Sequence, residues 1–231
     1  FDRVKISEEN VLRRGNRPGV SKNGSDFTEK NSYQLAFLQL VLLTSIAGAG
    51  KAALREGIAF VQPRNRTFNL PAGNGRPLPK DDPLVQRVIG KVSSLVYSAE
   101  THVLALAQHL EELYQLAQRG KATEADFVAV EIKAFQAQQI VIPTVLEATT
   151  AIFDVGGASA TSRSRQFDRH WRNARTAASH NPAIQRERAI GDFWLNGVAP
   201  SKPLRDAVAN GAGDAATARI AANDAVDCGV S

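Results

Sequence analysis

The segment best suited to chemistry runs from Phe153 to Pro182, and its residue types would fit a bound anion. Gly156 and Gly157 precede small residues, and glycine lets a backbone approach a ligand closely. Five arginines follow between Arg163 and Arg175, which places fixed positive charge beside the glycines. The same residues equally predict an ordinary loop followed by a solvated basic helix, because runs of charge are usually solvated. The residue types alone leave both interpretations open.

Two further arginines lie in a long proline-rich loop between Phe60 and Pro83. Arg64 and Arg66 are separated by one residue, and a planar guanidinium is well suited to binding phosphate. A loop of this length inside a compact domain is usually either functional or disordered. A phosphate clamp and a solvated loop are therefore both open interpretations of the arginine pair.

Two other patterns that resemble sites are better explained by helix packing. Gly48–Lys51 reads GAGK, but a phosphate loop requires a glycine where Ser45 stands and a serine or threonine where Ala52 stands. His102 and His109 lie seven residues apart on one predicted helix, which is too far for both to bind one metal. The sequence predicts no metal site.

Long helices must position these segments. The first spans Glu29 to about Phe60, and its early half is apolar on almost all sides, as in a helix enclosed by a bundle. Local signals mark the ends of three more helices. The first begins at the cap Asp82 and the opening Pro83 and ends at Gly120, and the second begins at a capping box formed by Thr123 and Asp126. The last begins at Asn181 and Pro182 and ends at Asn196 and Gly197.

Together these elements predict an all-α fold, an up-and-down four-helix bundle, over residues 28–197. Residues 1–27 alternate weakly between apolar and polar before a Gly/Pro-rich stretch, which indicates the end of a β domain and a linker. Residues 198–231 are rich in Ala, Gly, Asp and Asn, which is typical of a low-complexity tail. The chain starts with Phe1 and has no methionine, so we expect an incomplete reading frame.

Composition limits the partners and the compartment. The net charge of +5 is moderate and its arginines are clustered, which suits a bound anion better than a nucleic-acid duplex. Cys228 is the single cysteine, so we expect a reducing, cytoplasmic location. The strongly apolar run from Leu35 to Ile46 is short and contains Gln39, so we expect no membrane span.

Several spaced motifs carry a family resemblance: FDVGGASATSRSRQFDRHWRNARTAASHNPAIQRERAIGDFWLNG from Phe153, PRNRTF from Pro63 and DDPLVQRVIG from Asp81. The chain closely resembles, from Phe1 to about Gly197, the C-terminal helical domain of flavin-dependent monooxygenases of the acyl-CoA dehydrogenase superfamily, of the dibenzothiophene and sulfur-acquisition types. The resemblance implies the last strand of a middle β domain, then a four-helix bundle, and assembly as a homotetramer.

The resemblance also implies roles for individual residues. Arg64 and Arg66 match loop arginines that reach the flavin phosphate, often across a subunit boundary. A turn that passes the flavin near a subunit contact matches Gly156, Gly157, Ala158 and Ser159. His180 matches a histidine near the reactive edge of the isoalloxazine, where it would stabilise or protonate a flavin C4a-peroxide.

Comparison with true acyl-CoA dehydrogenases separates two activities. When Ile184–Arg186 is aligned with the same tripeptide in those enzymes, Ser179 occupies the position of their catalytic glutamate, and serine cannot abstract a proton as a carboxylate can. Some dehydrogenases carry the glutamate on the first bundle helix, where Glu56 is the only internal candidate. Some monooxygenases have a second histidine where this chain has Ala177, which leaves the substrate open.

The arginine-rich helix itself shows one ordered pattern. Asp168, Arg172, Arg175 and Ser179 share one face, with Trp171 near Arg175. An internal ion-pair network that fixes this segment is the favoured interpretation, ahead of direct flavin contact.

The sequence therefore predicts the C-terminal part of a two-component FMN-dependent monooxygenase. A flavin reductase would supply reduced FMN, and O2 would be activated to oxygenate a small sulfur-containing or related organic substrate. The alternatives are an FAD-dependent acyl-CoA dehydrogenase and a non-catalytic helical bundle. We expect the 231-residue chain alone to be inactive.

Overall fold

The computed structural model describes residues 29–67, 70–71 and 78–200, and within these ranges the chain folds as a bundle of α-helices. The predicted all-α fold is confirmed. The helices are α1 (Glu29–Val61), α2 (Pro83–Gln118), α3 (Glu124–Ala151), α4 (Asp168–Ser179) and α5 (Ala183–Asn196). The two shorter helices, α4 and α5, follow the three long helices in the chain, and both pack against α3.

Short elements fill the connections. Between α1 and α2, strand β1 (Arg66–Thr67) pairs antiparallel with β2 (Leu70–Pro71), with Arg66 opposite Pro71, and a 3-10 turn follows at Pro79–Asp81. Between α3 and α4, the chain makes two consecutive 3-10 turns at Ile152–Val155 and Gly157–Thr161. The connections that contain the predicted site residues are therefore ordered turns where the structure describes them.

The helix boundaries follow the predicted local signals. The Asp82 side chain accepts a hydrogen bond from the backbone N–H of Leu84 at 2.8 Å, which caps α2. Thr123 and Asp126 form the predicted capping box of α3. Gly120 and Gly197 have φ angles of +64° and +69°, so glycine is favoured where α2 and α5 end.

The core runs along the bundle in two adjoining clusters. The larger cluster joins α1, α2, α3 and α4 through buried aliphatic residues such as Leu43, Leu106 and Val141. The second cluster joins the end of α1, the start of α2 and the turns after α3, and it includes Phe60, Ile152 and Phe167. The second cluster lies beneath the candidate site.

The prediction that the early half of α1 lies in the middle of the bundle is wrong for the single chain. Ala36, Leu43 and Ile46 are buried, but the other side of the early half leaves four large apolar side chains between 37% and 49% exposed, namely Leu35, Phe37, Leu38 and Val41. One face of α1 is therefore uncovered in the single chain.

Over Tyr33–Val61, α1 is long and apolar enough to cross a membrane by length and composition, although the apolar run predicted from sequence is shorter. A core helix of a bundle passes the same test, and α1 contributes Leu43 and Ile46 to the packed interior. The predicted strand and linker at residues 1–27, and the predicted tail beyond residue 200, lie outside the described residues.

Candidate functional site

A cavity of about 750 Å³ brings together the two segments in which the sequence predicted flavin contacts. Arg64 and Arg66 reach it from the connection after α1, and the start of α2 forms a second side. The third side is the turn after α3, with Gly156, Gly157, Ala158 and Ser159. All six residues predicted to bind the cofactor therefore line one cavity.

The turn after α3 depends on its two glycines for different reasons. At Gly156, an added Cβ would lie 2.7 Å from Cζ of Phe60, so a side chain there would overlap the buried aromatic ring. Gly157 has a φ of +51°, a conformation that residues with a Cβ rarely adopt. The close neighbour of Gly156 is thus Phe60, and only Gly157 has open space around its Cα.

Phe60 also contacts two arginine side chains, of which Arg64 lines the cavity. The guanidinium carbon of Arg64 lies 4.3 Å from the centroid of the Phe60 ring, and that of Arg165 lies 4.5 Å from it. Both distances are within the range of cation–π attraction. Phe167 packs edge-on against Phe60 with centroids 5.4 Å apart, so the ring is fixed from beneath.

The cavity carries an excess of positive charge. Arg64, Arg66 and Arg87 line it, against Asp82 and Asp154. Burial, and then the charges of Arg165 and Arg66, lower the pKa of Arg64, although an arginine this basic stays protonated.

The guanidinium N–H groups of Arg64 and Arg66 could bind an anion. Within the described ranges, no carboxylate lies within salt-bridge distance of Arg64 or Arg66. Asp82 already accepts the hydrogen bond that caps α2. A phosphate group would therefore meet guanidinium donors in this cavity that no carboxylate of the described residues pairs with.

His180 lies elsewhere. It is an exposed residue just after the end of α4, and its backbone N–H donates to the carbonyl oxygen of Ala177 at 3.3 Å. Phe167, which contacts Phe60 beneath the cavity, precedes the other end of α4. A helix of 12 residues spans about 18 Å, so His180 does not reach the cavity of the same chain.

The predicted network on α4 forms only at one ion pair, and that pair is exposed and not internal. Arg172 and Asp168 do form an ion pair, but their side chains are 70% and 54% exposed. The Ser179 hydroxyl donates to the carbonyl oxygen of Arg175 at 2.9 Å, which is a bond within the helix. Among the described residues Trp171 makes no cation–π contact with Arg175. This face of α4 therefore points toward solvent in the single chain.

A different cluster attaches α4 to α1. The Glu56 carboxylate accepts a hydrogen bond from Arg169 through Oε1, and its Oε2 lies 2.9 Å from Nε2 of His170, which is almost fully buried. Partial burial raises the pKa of Glu56, but the hydrogen bonds and charges of His170 and then Arg169 outweigh it and hold the pKa below its usual value.

Sequence reasoning missed this attachment, although a signal for it was present. Phe167, His170, Ala174 and Ala178 follow the three- and four-residue spacing of one helix face, and all four are buried. That face places His170 against the bundle. The same geometry makes Glu56 a paired, ionised carboxylate and a poor general base.

Among the residues that the structure describes, no group of three or more His, Cys, Asp or Glu side chains could hold a metal ion.

Comparisons with known proteins agree on one family. Dibenzothiophene monooxygenase of Rhodococcus erythropolis is 25% identical over 201 residues, which cover 87% of this chain and 46% of that protein. A probable FMNH2-dependent monooxygenase of Pseudomonas putida is 31% identical over 202 residues, which cover 87% of this chain and 48% of that protein.

The fold matches as well. A crystal structure of dibenzothiophene monooxygenase from Paenibacillus sp. A11-2, in complex with FMN and indole, aligns with 79% of this chain and 46% of that one, at a TM-score of 0.67 and 26% identity. The chain spans less than half the length of these relatives. The family model described as the acyl-CoA dehydrogenase C-terminal domain matches residues 40–184. The chain therefore belongs to the acyl-CoA dehydrogenase family, of which it contains the C-terminal domain.

Proposed function

We propose that this chain is the C-terminal bundle of a two-component FMN-dependent monooxygenase. The observation that carries the proposal is the cavity in which Arg64, Arg66 and the turn from Gly156 to Ser159 converge, with more arginines than aspartates in its lining. Reduced FMN, when bound, supplies the activation of O2, and a flavin reductase supplies the reduced FMN. FMN is favoured over FAD because one relative is named a probable FMNH2-dependent monooxygenase and a similar structure contains FMN.

The arginines of the cavity would hold the phosphate of FMN. Arg66 is exposed beside the cavity, whereas Arg64 is half-buried and stacks on Phe60. We therefore assign the first contact with phosphate to Arg66 and the neutralisation of its second charge to Arg64. The backbone from Gly156 to Ser159 would form the adjoining wall, where Gly157 offers open space.

His180 would serve a flavin bound by a different protomer's cavity. In one chain His180 and the cavity lie at opposite ends of α4, about 18 Å apart along the helix. The uncovered apolar face of α1 supports assembly of several copies, and a homotetramer is the form that the family resemblance favours. At that second site the imidazole would donate or accept a proton during oxygen transfer.

The substrate class follows the relatives and stays broad. Relatives are named for dibenzothiophene, and one similar structure contains indole, so we propose a small sulfur-containing or related aromatic substrate. A dehydrogenase is disfavoured because Ser179 replaces the expected carboxylate and donates to a carbonyl oxygen of its own helix. Glu56 is engaged with Arg169 and His170, so it offers no alternative base.

Reduced-FMN titration of the whole protein under anaerobic conditions tests the proposal. Arg66→Ala should weaken reduced-FMN binding about tenfold, which corresponds to about 1.4 kcal/mol. His180→Ala should keep the affinity and lose oxygenated product. Arg172→Met, which removes an exposed arginine outside the cavity, is the matched control.

Mixing the two variants tests the arrangement between protomers. Assemblies that contain both Arg66→Ala and His180→Ala chains should regain activity, because some sites receive an intact residue from each. No recovery in verified mixed assemblies would place both residues in one protomer's site. Bleaching of a bound FAD by an acyl-CoA would instead favour the dehydrogenase.

A further inference from the structure

A buried polar network surrounds Arg186 of α5. Its Nη1 donates to Oε1 of Gln39 on α1 and to Oε1 of Gln138 on α3, the second at 3.1 Å. Gln39 and Gln138 are only 2% and 1% exposed. One nitrogen of Arg186 therefore serves two buried glutamine carbonyls on two different helices.

The same two glutamines hold the junction between α4 and α5. Nε2 of Gln138 donates to the backbone carbonyl oxygen of Asn181 at 2.9 Å, and Nδ2 of Asn181 donates to Oε1 of Gln39 at 3.0 Å. Both the backbone and the side chain of Asn181 are thus fixed. Nε2 of Gln139 adds a bond to the carbonyl oxygen of Ala183 at 3.2 Å, at the start of α5.

Arg186 is partly buried against the bundle. Its guanidinium carbon lies 4.6 Å from the centroid of the Phe135 ring. Burial lowers the pKa of Arg186, and the charge of the buried Glu131 opposes that shift. A buried polar group is costly to leave unpaired. Removal of Arg186 would take this donor from the Gln138 carbonyl and would leave the Gln39 carbonyl with the bond from Asn181 alone.

His180 is the residue next to Asn181. It is exposed, and among the described residues its side chain makes no hydrogen bond or ion pair, so its position depends on the backbone. The backbone on its C-terminal side is fixed by Asn181. On its N-terminal side, Ala178 packs into the core.

We propose that Arg186 is a positioning residue for His180, acting through Gln138 on the backbone of Asn181 and through Gln39 on its side chain. This inference rests on the proposed role of His180 in oxygen transfer. Arg186 would contact neither flavin nor substrate. It would instead fix the position of the His180 imidazole.

Three variants of the whole protein test this role. Arg186→Met removes the donors and keeps a long apolar stem. Because one nitrogen of Arg186 serves both glutamines, the single ammonium of Arg186→Lys can replace it. Arg188→Met is the control, since Arg188 lies on the same helix but pairs on the surface with Asp192 at 3.3 Å.

Two measurements read out the role. The first is hydrogen–deuterium exchange of the peptide that contains residues 178–184, without flavin. The second is the fraction of reduced FMN that yields oxygenated product and not hydrogen peroxide. Arg186→Met should accelerate the exchange and lower the product fraction about fivefold, with FMN affinity within about twofold of wild type. Arg186→Lys and Arg188→Met should retain most of the product fraction.

The double variant separates positioning from general loss of stability. If Arg186 acts through His180, adding Arg186→Met to His180→Ala should lower the product fraction no further. Three outcomes would each overturn the role of Arg186. The losses could be additive in the double variant, the exchange rate could be unchanged in Arg186→Met, or the product fraction of Arg186→Met could equal that of Arg188→Met. A wild-type protein without FMN-dependent oxygenation would instead reject the proposed function, and this role with it, whatever the exchange rates show.

Discussion

The arginines near the two ends of α4 differ in what their guanidinium groups bind. At the cavity end, Arg64 and Arg66 face open space, and among the described residues no carboxylate pairs with them. Near the C-terminal end of α4, one guanidinium nitrogen of Arg186 donates hydrogen bonds to two buried glutamine carbonyls. An arginine with available donors in a cavity can bind an anion, whereas one whose donors are occupied by buried acceptors fixes the backbone.

The two ends also differ in how the backbone is held. The cavity end consists of 3-10 turns whose shape depends on Gly156, Gly157 and the ring of Phe60. The far end is held by side-chain hydrogen bonds to Asn181 and Ala183. Steric fit should therefore dominate the stability of one end, and hydrogen bonding that of the other.

The largest expected effect on stability comes from disturbing the fit at the cavity. In Gly156→Ala the new Cβ would lie 2.7 Å from Cζ of Phe60, so the buried ring or the turn must shift. We expect the free energy of unfolding to fall by about 1–3 kcal/mol, as in overpacked cores. Urea denaturation measures the change.

Gly90→Ala is the matched control. Gly90 lies inside α2, seven residues after its first residue, and a Cβ there would meet nothing within 4 Å. Alanine at an exposed helical position should stabilise the protein by up to about 1 kcal/mol. Equal effects of the two substitutions would show that Phe60 does not restrict the turn.

Local signals predicted much of the fold because they act over a few residues. The caps at Asp82 and Thr123 and the helix ends at Gly120 and Gly197 depend on backbone groups within one helical turn. Each was predicted from its own neighbourhood. The arginine and glycine segments could be assigned to one site only through the family resemblance, since no periodicity brings distant turns together.

Contacts set by helix rotation could not be predicted in the same way. Asp168 and Arg172 have ideal spacing for a pair, but whether that pair is internal depends on which face of α4 packs against the bundle. Packing of Phe167, Ala174 and Ala178 turns His170 inward instead. Similarly, the need for glycine at position 156 comes from Phe60, at the end of another helix.

The attachment of α4 to α1 gives an intermediate effect with a defined pH dependence. The folded protein holds the pKa of Glu56 below its usual value, so the attachment stabilises the fold above the ordinary carboxyl pKa of about 4.3. That contribution is lost as the pH falls through the lowered pKa. Glu56→Gln should cost about 1 kcal/mol at pH 7, because the charged hydrogen bonds to Arg169 and His170 are lost.

Stability measured by urea denaturation from pH 7 down to about pH 3 checks the sign. The wild type should lose more stability over this range than Glu56→Gln, so the two curves should converge in acid. Glu147→Gln is the control, because Glu147 forms an exposed pair with Lys91 at 2.7 Å. If the free energy of unfolding fell in parallel for wild type and Glu56→Gln, Glu56 would not contribute to the loss of stability in acid.

The smallest effect is expected on the exposed face of α4. Arg172→Met breaks the pair with Asp168 and leaves the acidic residue in the first turn of α4, where it also favours the helix. An exposed pair four residues apart contributes little, so the free energy of unfolding should change by less than about 0.5 kcal/mol. A loss above about 1 kcal/mol in the whole protein would mean that assembly buries this face. Arginine on α4 would then stabilise a contact between copies, and the contrast between cavity and scaffold arginines would hold only for Arg64, Arg66 and Arg186.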